Sequence, residues 1–128
     1  MGGARLRFAP TRHYIQTFAI RYDCDGASVT YSADTAPEPR VSALAEGCDV
    51  FLCEATLGPG DADGRVRGHM TAEEAGALGR DAGAGRLVLT HYGSGTTEDE
   101  LRERAASSFD GEIVIADDGI ALPLGPAL

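Results

Sequence analysis

Short apolar runs alternate with segments of helical periodicity along this chain, and this alternation limits its possible folds more than any other feature. The runs are bounded by Gly or Asp and predict strands at Tyr14 to Tyr22, Ala27 to Tyr31, Val50 to Cys53, Leu87 to Thr90 and Ile113 to Ala116. The helical segments are Glu38 to Glu46, Thr71 to Ala82 and Thr97 to about Ala106. Strands alternating with helices form βαβ units, so we predict an α/β fold with a sheet that is at least partly parallel.

The ends of the predicted helices carry specific signals. Thr71 with Glu74, and Thr97 with Glu100, have the spacing of a capping box, and Gly47 and Gly83 follow the first two helices as stop signals. The first two predicted strands could also pair as a hairpin. The segment 58–65 has the Gly, Pro and Asp content of a surface loop that could act as a mobile lid. We expect residues 1–128 to form a single domain.

Composition excludes several classes of protein. The net charge of -9 disfavours unaided nucleic-acid binding, because such binding depends chiefly on Lys and Arg. The three cysteines are odd in number and have no C-x-x-C spacing, so Cys48 and Cys53 are interpreted as buried thiols. The chain has no apolar run of about 18 residues and no signal-peptide pattern at its start, which predicts a cytoplasmic protein without a membrane segment.

Polar residues that follow predicted strands are candidates for a site, because ligands of open α/β sheets bind beyond the carboxyl ends of the strands. Asp34, Glu54 and His91 each follow such a strand. His69 precedes the Thr71 helix, where backbone donors favour an anionic group. His13 would join them only if the strand that follows it is antiparallel to the others.

Each of these residues also has a structural interpretation. A histidine taken at random is more often solvated or hydrogen-bonded than catalytic. Asp34 could cap a turn and Glu54 could be an exposed loop carboxylate. A doubly wound nucleotide-binding domain is a further possibility, but the glycine loops that cradle phosphates are absent from the sequence.

Four local strings, taken in order, resemble metallo-β-lactamase-fold hydrolases of the ribonuclease Z-like branch. They are Tyr31-Ser32-Ala33-Asp34-Thr35, Cys53-Glu54-Ala55-Thr56, Gly68-His69-Met70-Thr71-Ala72-Glu73-Glu74-Ala75 and Leu87-Val88-Leu89-Thr90-His91. The resemblance extends from about His13 to Asp118. It implies a mixed β-sheet with helices packed on one face, as in half of the family's αββα sandwich.

The resemblance also implies roles for individual residues. Asp34 corresponds to the carboxylate that bridges two metal ions, and His91 and His13 correspond to ligands of those ions. His69 corresponds to a residue that assists phosphodiester cleavage without binding metal, while Glu54 and Thr71 would support the site from behind it. The expected cofactor is a pair of Zn²⁺ ions, whose bound hydroxide would attack a phosphodiester or small ester substrate.

The departures from the family are equally informative. No H-x-H-x-D-H string is present, so the chain lacks several metal ligands and resembles only the carboxyl-terminal half of the fold. One sheet face would then require the missing amino-terminal half or a second copy of the chain, and this chain alone would bind metal partially or not at all and be inactive. Only Asp23-Cys24-Asp25-Gly26 stands where ribonuclease Z carries its long arm, which argues against transfer RNA as a partner. The alternative is a non-catalytic binding or assembly module.

Overall fold

A computed structural model describes residues 2–61, 63 and 66–124. These residues form one mixed sheet with strand order β1-β2-β3-β4-β5-β6. The strands are β1 Arg5–Pro10, β2 Phe18–Cys24, β3 Ala27–Tyr31, β4 Val50–Glu54, β5 Arg86–Thr90 and β6 Glu112–Ile115. The pairs β1–β2 and β2–β3 are antiparallel, and the pairs from β3 to β6 are parallel. The predicted parallel βαβ part and the hairpin alternative are therefore both present.

The first part of the chain corrects the predicted strands. The sequence interpretation missed β1, and it started β2 at Tyr14, whereas β2 begins at Phe18. Between the two strands the chain forms a turn in which the Thr11 amide donates to the Thr17 carbonyl at 2.9 Å. Residues 14–17 therefore belong to this turn and not to β2, and the turn carries His13 and Tyr14.

Three helices follow the predicted pattern, with shorter bounds: α1 Pro39–Leu44, α2 Ala72–Ala82 and α3 Glu98–Ala106. Both predicted capping boxes are formed, at Thr71 and Thr97, and Gly83 ends α2 with a left-handed φ of 65°. Helix α1 ends before Gly47, and the Arg21 guanidinium donates to the carbonyls of Leu44 and Glu46 at 3.0 and 2.6 Å. That side chain satisfies carbonyls that the helix end leaves without partners.

The helices pack side by side on one face of the sheet, which confirms that part of the prediction. Helix α1 contacts β1 and β2, α2 contacts β4 and β5, α3 contacts β6, and neighbouring helices contact each other. The core lies between this inner face and the helices, and its largest members are Phe51, Met70, Leu87, Leu89, Leu101 and Val41. All three cysteines are free thiols, and burial raises the pKa of both Cys48 and Cys53. No helix among the described residues has the length and apolar character needed to span a membrane.

The opposite face of the sheet, here called the outer face, is apolar at the β1–β2 end. Leu6 pairs with Tyr22, Phe8 with Ile20 and Pro10 with Phe18, so these side chains share one face. The exposed fractions are 53% for Leu6, 61% for Phe8, 46% for Phe18 and 39% for Tyr22. These adjoining side chains form an exposed apolar patch.

Candidate metal centre

Five of the candidate side chains meet at the carboxyl ends of the parallel strands. Asp34, Glu54 and His91 lie where β3, β4 and β5 end, and these strands are adjacent and parallel. Strand β2 is antiparallel to β3, which satisfies the condition for His13 and brings the β1–β2 turn to the same edge. His69 joins them from the segment that leads into α2, with its ring centroid 4.9 Å from that of His13 and 5.7 Å from that of His91.

The carboxylate of Asp34 lies between two histidines. Its Oδ2 is 3.9 Å from His13 Nε2, and its Oδ1 is 3.1 Å from His91 Nδ1. The two ligands of one tetrahedral ion, each about 2.1 Å from it, lie about 3.4 Å apart. Each oxygen of Asp34 is therefore at a suitable separation to share a cation with a different histidine.

Backbone and side-chain partners fix the rings of His13 and His69. His13 Nδ1 donates to the carbonyl of Gly68 at 2.8 Å, and His69 Nδ1 donates to Glu54 Oε1 at 2.8 Å. A carbonyl or carboxylate oxygen can only accept, so Nδ1 carries the proton in both rings and the lone pair of Nε2 is free. Metal-ligating histidines are held in this way, with the second nitrogen bonded to a carbonyl or a carboxylate.

Glu54 organises the cluster from beneath. The residue is fully buried, and its carboxylate accepts from the amides of Thr35 at 3.0 Å, Thr56 at 3.0 Å and Met70 at 3.3 Å as well as from His69. Thr35 belongs to the loop that carries Asp34, Thr56 to the loop that contacts His91, and Met70 to the segment that carries His69. One carboxylate therefore connects three loops, and the interpretation of Glu54 as an exposed loop residue is wrong.

Thr71 is farther from the centre than the other candidates. It is the N-cap of α2, and its hydroxyl contacts Glu74 at 2.9 Å. Its neighbour Met70 donates to Glu54, so Thr71 supports the segment that carries His69. Any effect of Thr71 on the cluster acts through the position of that segment.

Three contributing residues were not identified as site residues from the sequence. The Thr56 hydroxyl lies 3.0 Å from His91 Nδ1 and donates to the His91 carbonyl at 2.9 Å. Asp63 Oδ2 accepts from the amides of Gly68 and His69 at 2.6 and 2.7 Å. Thr56 and Gly68 stand inside the quoted motif strings, but only tertiary structure shows their contacts. Asp63 lies in the predicted lid loop, of which residues 62, 64 and 65 are outside the described residues.

Exposure and charge are uneven across the cluster. The side chains of His13 and His69 are 11% and 15% exposed, whereas those of Asp34 and His91 are 34% and 51% exposed. The Asp34–His91 side is therefore open to solvent. Burial, together with the charges of Asp34 and Glu54, raises the pKa of the neighbouring Tyr31 phenol, so this hydroxyl remains protonated at neutral pH.

The turn that carries Asp34 contains a strained residue. Ala33 has a φ of 52°, in the left-handed region that favours glycine, and it stands where the resembled family has Gly. We expect Ala33→Val to lower the free energy of unfolding by about 2 kcal/mol, because β-branched side chains are strongly disfavoured there. Ala33→Gly should remain within about 1 kcal/mol of the parent, since relief of strain is offset by greater freedom of the unfolded chain. Urea denaturation followed by circular dichroism measures both, and equal stability of the valine and glycine variants would contradict the strain.

The fold and this cluster are of the metallo-β-lactamase type, and comparison with known proteins agrees. A family profile described as beta-lactamase superfamily domain matches residues 2–92, so the chain belongs to that superfamily. Its relatives include the protein named "Probable metallo-hydrolase YhfI" of Bacillus subtilis, 33% identical over 92% of this chain and 48% of the relative. Ribonuclease Z of Streptomyces avermitilis is 37% identical over 77% of this chain and 34% of the relative.

Solved structures show the same fold. The crystal structure of YhfI matches with a TM-score of 0.84, and the matched region covers 91% of this chain and 48% of YhfI. The short form of human tRNase Z, at 22% identity, has a TM-score of 0.71 and covers 94% of this chain and 42% of that chain. The chain thus spans about half the length of YhfI and less of the ribonuclease Z proteins it matches.

Proposed function

We propose that this chain contributes one half of the active site of a metal-dependent hydrolase that cleaves a phosphodiester or a small ester. His13, Asp34 and His91 would hold metal, His69 would act on the leaving group, and Glu54 would orient His69. The observation that carries this proposal is the position of Asp34, whose two carboxylate oxygens face two different histidines. A carboxylate in this position can bridge two cations.

The donor set fits zinc. Imidazole nitrogens and carboxylate oxygens are the ligands that Zn²⁺ takes in catalytic sites, and His13 presents a free Nε2 toward Asp34. When bound, such ions lower the pKa of a coordinated water and polarise the scissile group. The protein's own contribution is to orient His13 through the Gly68 carbonyl, His91 through the Thr56 hydroxyl and the catalytic His69 through Glu54.

His69 would act as the proton donor. Its Nδ1 is bonded to the buried Glu54, so the ring cannot rotate without breaking that bond, and Nε2 is the nitrogen available to a substrate. In the doubly protonated form of the ring, the proton at Nε2 could pass to the departing oxygen while Nδ1 keeps its bond to Glu54. This role requires no protein nucleophile.

The site needs a second polypeptide segment. The chain contains three histidines and no H-x-H-x-D-H string, and its outer face exposes Leu6, Phe8, Phe18 and Tyr22. We propose that residues 1–128 act as a single domain. Its outer face would be covered by the half of the fold that the chain lacks, or by a second copy of the chain. The covering segment would supply the remaining ligands if it carries the missing motif.

A small substrate fits better than transfer RNA. Strands β2 and β3 are joined by a tight turn of Asp25 and Gly26, both with positive φ, so no arm extends from this hairpin. The net charge of -9 also repels a phosphate backbone over most of the surface. Both features support a low-molecular-weight phosphodiester or ester as substrate.

The proposal is tested by hydrolysis of bis(p-nitrophenyl) phosphate. The chain is assayed with Zn²⁺ alone, and after co-expression with the part of YhfI that it does not match. We expect activity only in the complex, with close to two ions per complex by plasma emission, and a loss in kcat/KM of roughly 1,000-fold in Asp34→Ala and His91→Ala. Asp81→Ala, which removes an exposed carboxylate on α2, is the control and should keep the activity of the parent. A metal-loaded complex without activity would indicate the non-catalytic binding module, and full activity in Asp34→Ala would exclude the proposed ligand set.

A further inference from the structure

His69 has the geometry of a metal ligand as well as that of a proton donor. Its Nδ1 donates at 2.8 Å to Glu54, a carboxylate that is fully buried. A carboxylate behind one ring nitrogen is the arrangement that orients histidines on zinc, because it fixes the ring and raises the basicity of the other nitrogen. The Glu54–His69 pair therefore leaves Nε2 available to a cation.

The surrounding donors are close enough to share an ion with His69. Potential ligand atoms of Asp34, Glu54, His69 and His91 all lie within 4.8 Å of one another, and His13 is outside this group. The separation between two ligands of one tetrahedral ion is about 3.4 Å, so a contraction of up to about 1.4 Å brings the set together. Asp34 and His91 are the exposed members and are free to make that adjustment.

We propose that this chain, before it meets any other segment of the fold, binds one divalent transition-metal ion through Asp34, His69 and His91, with Glu54 orienting His69. This inference rests on the proposed function, since it uses two of the same ligands, but it gives His69 a different role. In the isolated chain the ion occupies the nitrogen that the complete enzyme needs for proton transfer. The isolated chain is then metal-loaded and inactive for a reason that adding metal does not remove.

Cobalt(II) titration of the purified chain tests this proposal without any assay of activity. Tetrahedral Co²⁺ absorbs strongly in the visible range, and calorimetry gives the stoichiometry and affinity. We expect one ion per chain, an affinity at least about 100-fold weaker in His69→Ala, and an affinity about 10- to 100-fold weaker in Glu54→Gln. Asp81→Ala should change the affinity by less than about 2-fold, because Asp81 is an exposed carboxylate in the last turn of α2, away from the cluster.

A second readout needs no substitution. Long-range ¹H–¹⁵N spectra of the unaltered chain report each imidazole nitrogen, and on addition of Zn²⁺ the Nε2 signal of His69 should shift to the range of a metal-bound nitrogen. An unshifted His69 signal, or unchanged affinity in His69→Ala while Asp34→Ala and His91→Ala lose binding, overturns the inference and leaves the proposed function intact. Unchanged binding in Asp34→Ala overturns the ligand set of both. A chain that binds no Co²⁺ overturns the inference alone.

Discussion

Replacing Glu54 with Ala is expected to lower the free energy of unfolding by about 3–5 kcal/mol, a large part of the stability of a domain of this size. The carboxylate is fully buried and accepts hydrogen bonds from three backbone amides and from His69 Nδ1. Removing it leaves these donors without partners, and each unsatisfied buried group costs about 1–3 kcal/mol. Urea denaturation followed by circular dichroism measures the change.

Two further variants identify the cause. Glu54→Gln keeps the shape but replaces one acceptor oxygen with an NH₂ group, so we expect a loss of about 1–3 kcal/mol, smaller than that of alanine. Asp81→Ala removes an exposed carboxylate on α2, whose side chain is 55% exposed, and should stay within about 0.5 kcal/mol of the parent. If Glu54→Ala unfolds at the same urea concentration as the parent, the carboxylate does not connect the three loops.

Substitution of the outer face should change the state of association more than any other surface substitution. The double variant Phe8→Lys with Phe18→Lys places two charges among side chains that adjoin Ile20 and Pro10 across the β1–β2 pair. Buried aromatic anchors contribute about 2 kcal/mol or more each, so the dissociation constant for the second copy, or for the covering half of YhfI, should rise at least about 100-fold. Light scattering across a dilution series measures it.

The control for this prediction lies outside the sheet. Val66 is 63% exposed in the segment before α2, so Val66→Lys adds a charge at a comparably exposed apolar position without altering the outer face. Its mass in solution should match that of the parent at every concentration. The double variant should also unfold at nearly the parent's urea concentration, because Phe8 and Phe18 are exposed in the isolated chain. Association of the double variant as strong as that of the parent would mean that a different surface forms the interface.

The central strands and the residues at their ends could be predicted because their signals are local. Strands β4 and β5 are nearly continuous apolar runs, typical of strands covered on both faces, and the polar residue at each end is unambiguous. Parallel topology then places Asp34, Glu54 and His91 at one edge. The capping boxes of α2 and α3 are likewise local patterns.

The missed parts depend on tertiary contacts. Strand β1 is an edge strand whose only buried residue is Ala9, so its sequence shows no run of core residues. Tyr14 and Ile15 are apolar like strand residues, yet they lie in a turn and are 51% and 73% exposed. The ties of His13 to Gly68 and of Asp63 to the amide of His69 join segments whose proximity only the folded chain shows.

The backbone at His91 limits how this centre can be redesigned. His91 has a φ of 52°, and His, Asn and Asp are the non-glycine residues that adopt this left-handed conformation most readily. An exchange of His91 for Asp would therefore keep the loop and shift the donor set toward oxygen, which harder cations such as Mn²⁺ prefer. Exchange for Cys would require a less tolerant residue to hold the same dihedral. The main-chain conformation at position 91 therefore favours an Asp ligand over a Cys ligand, independently of which metal the centre binds.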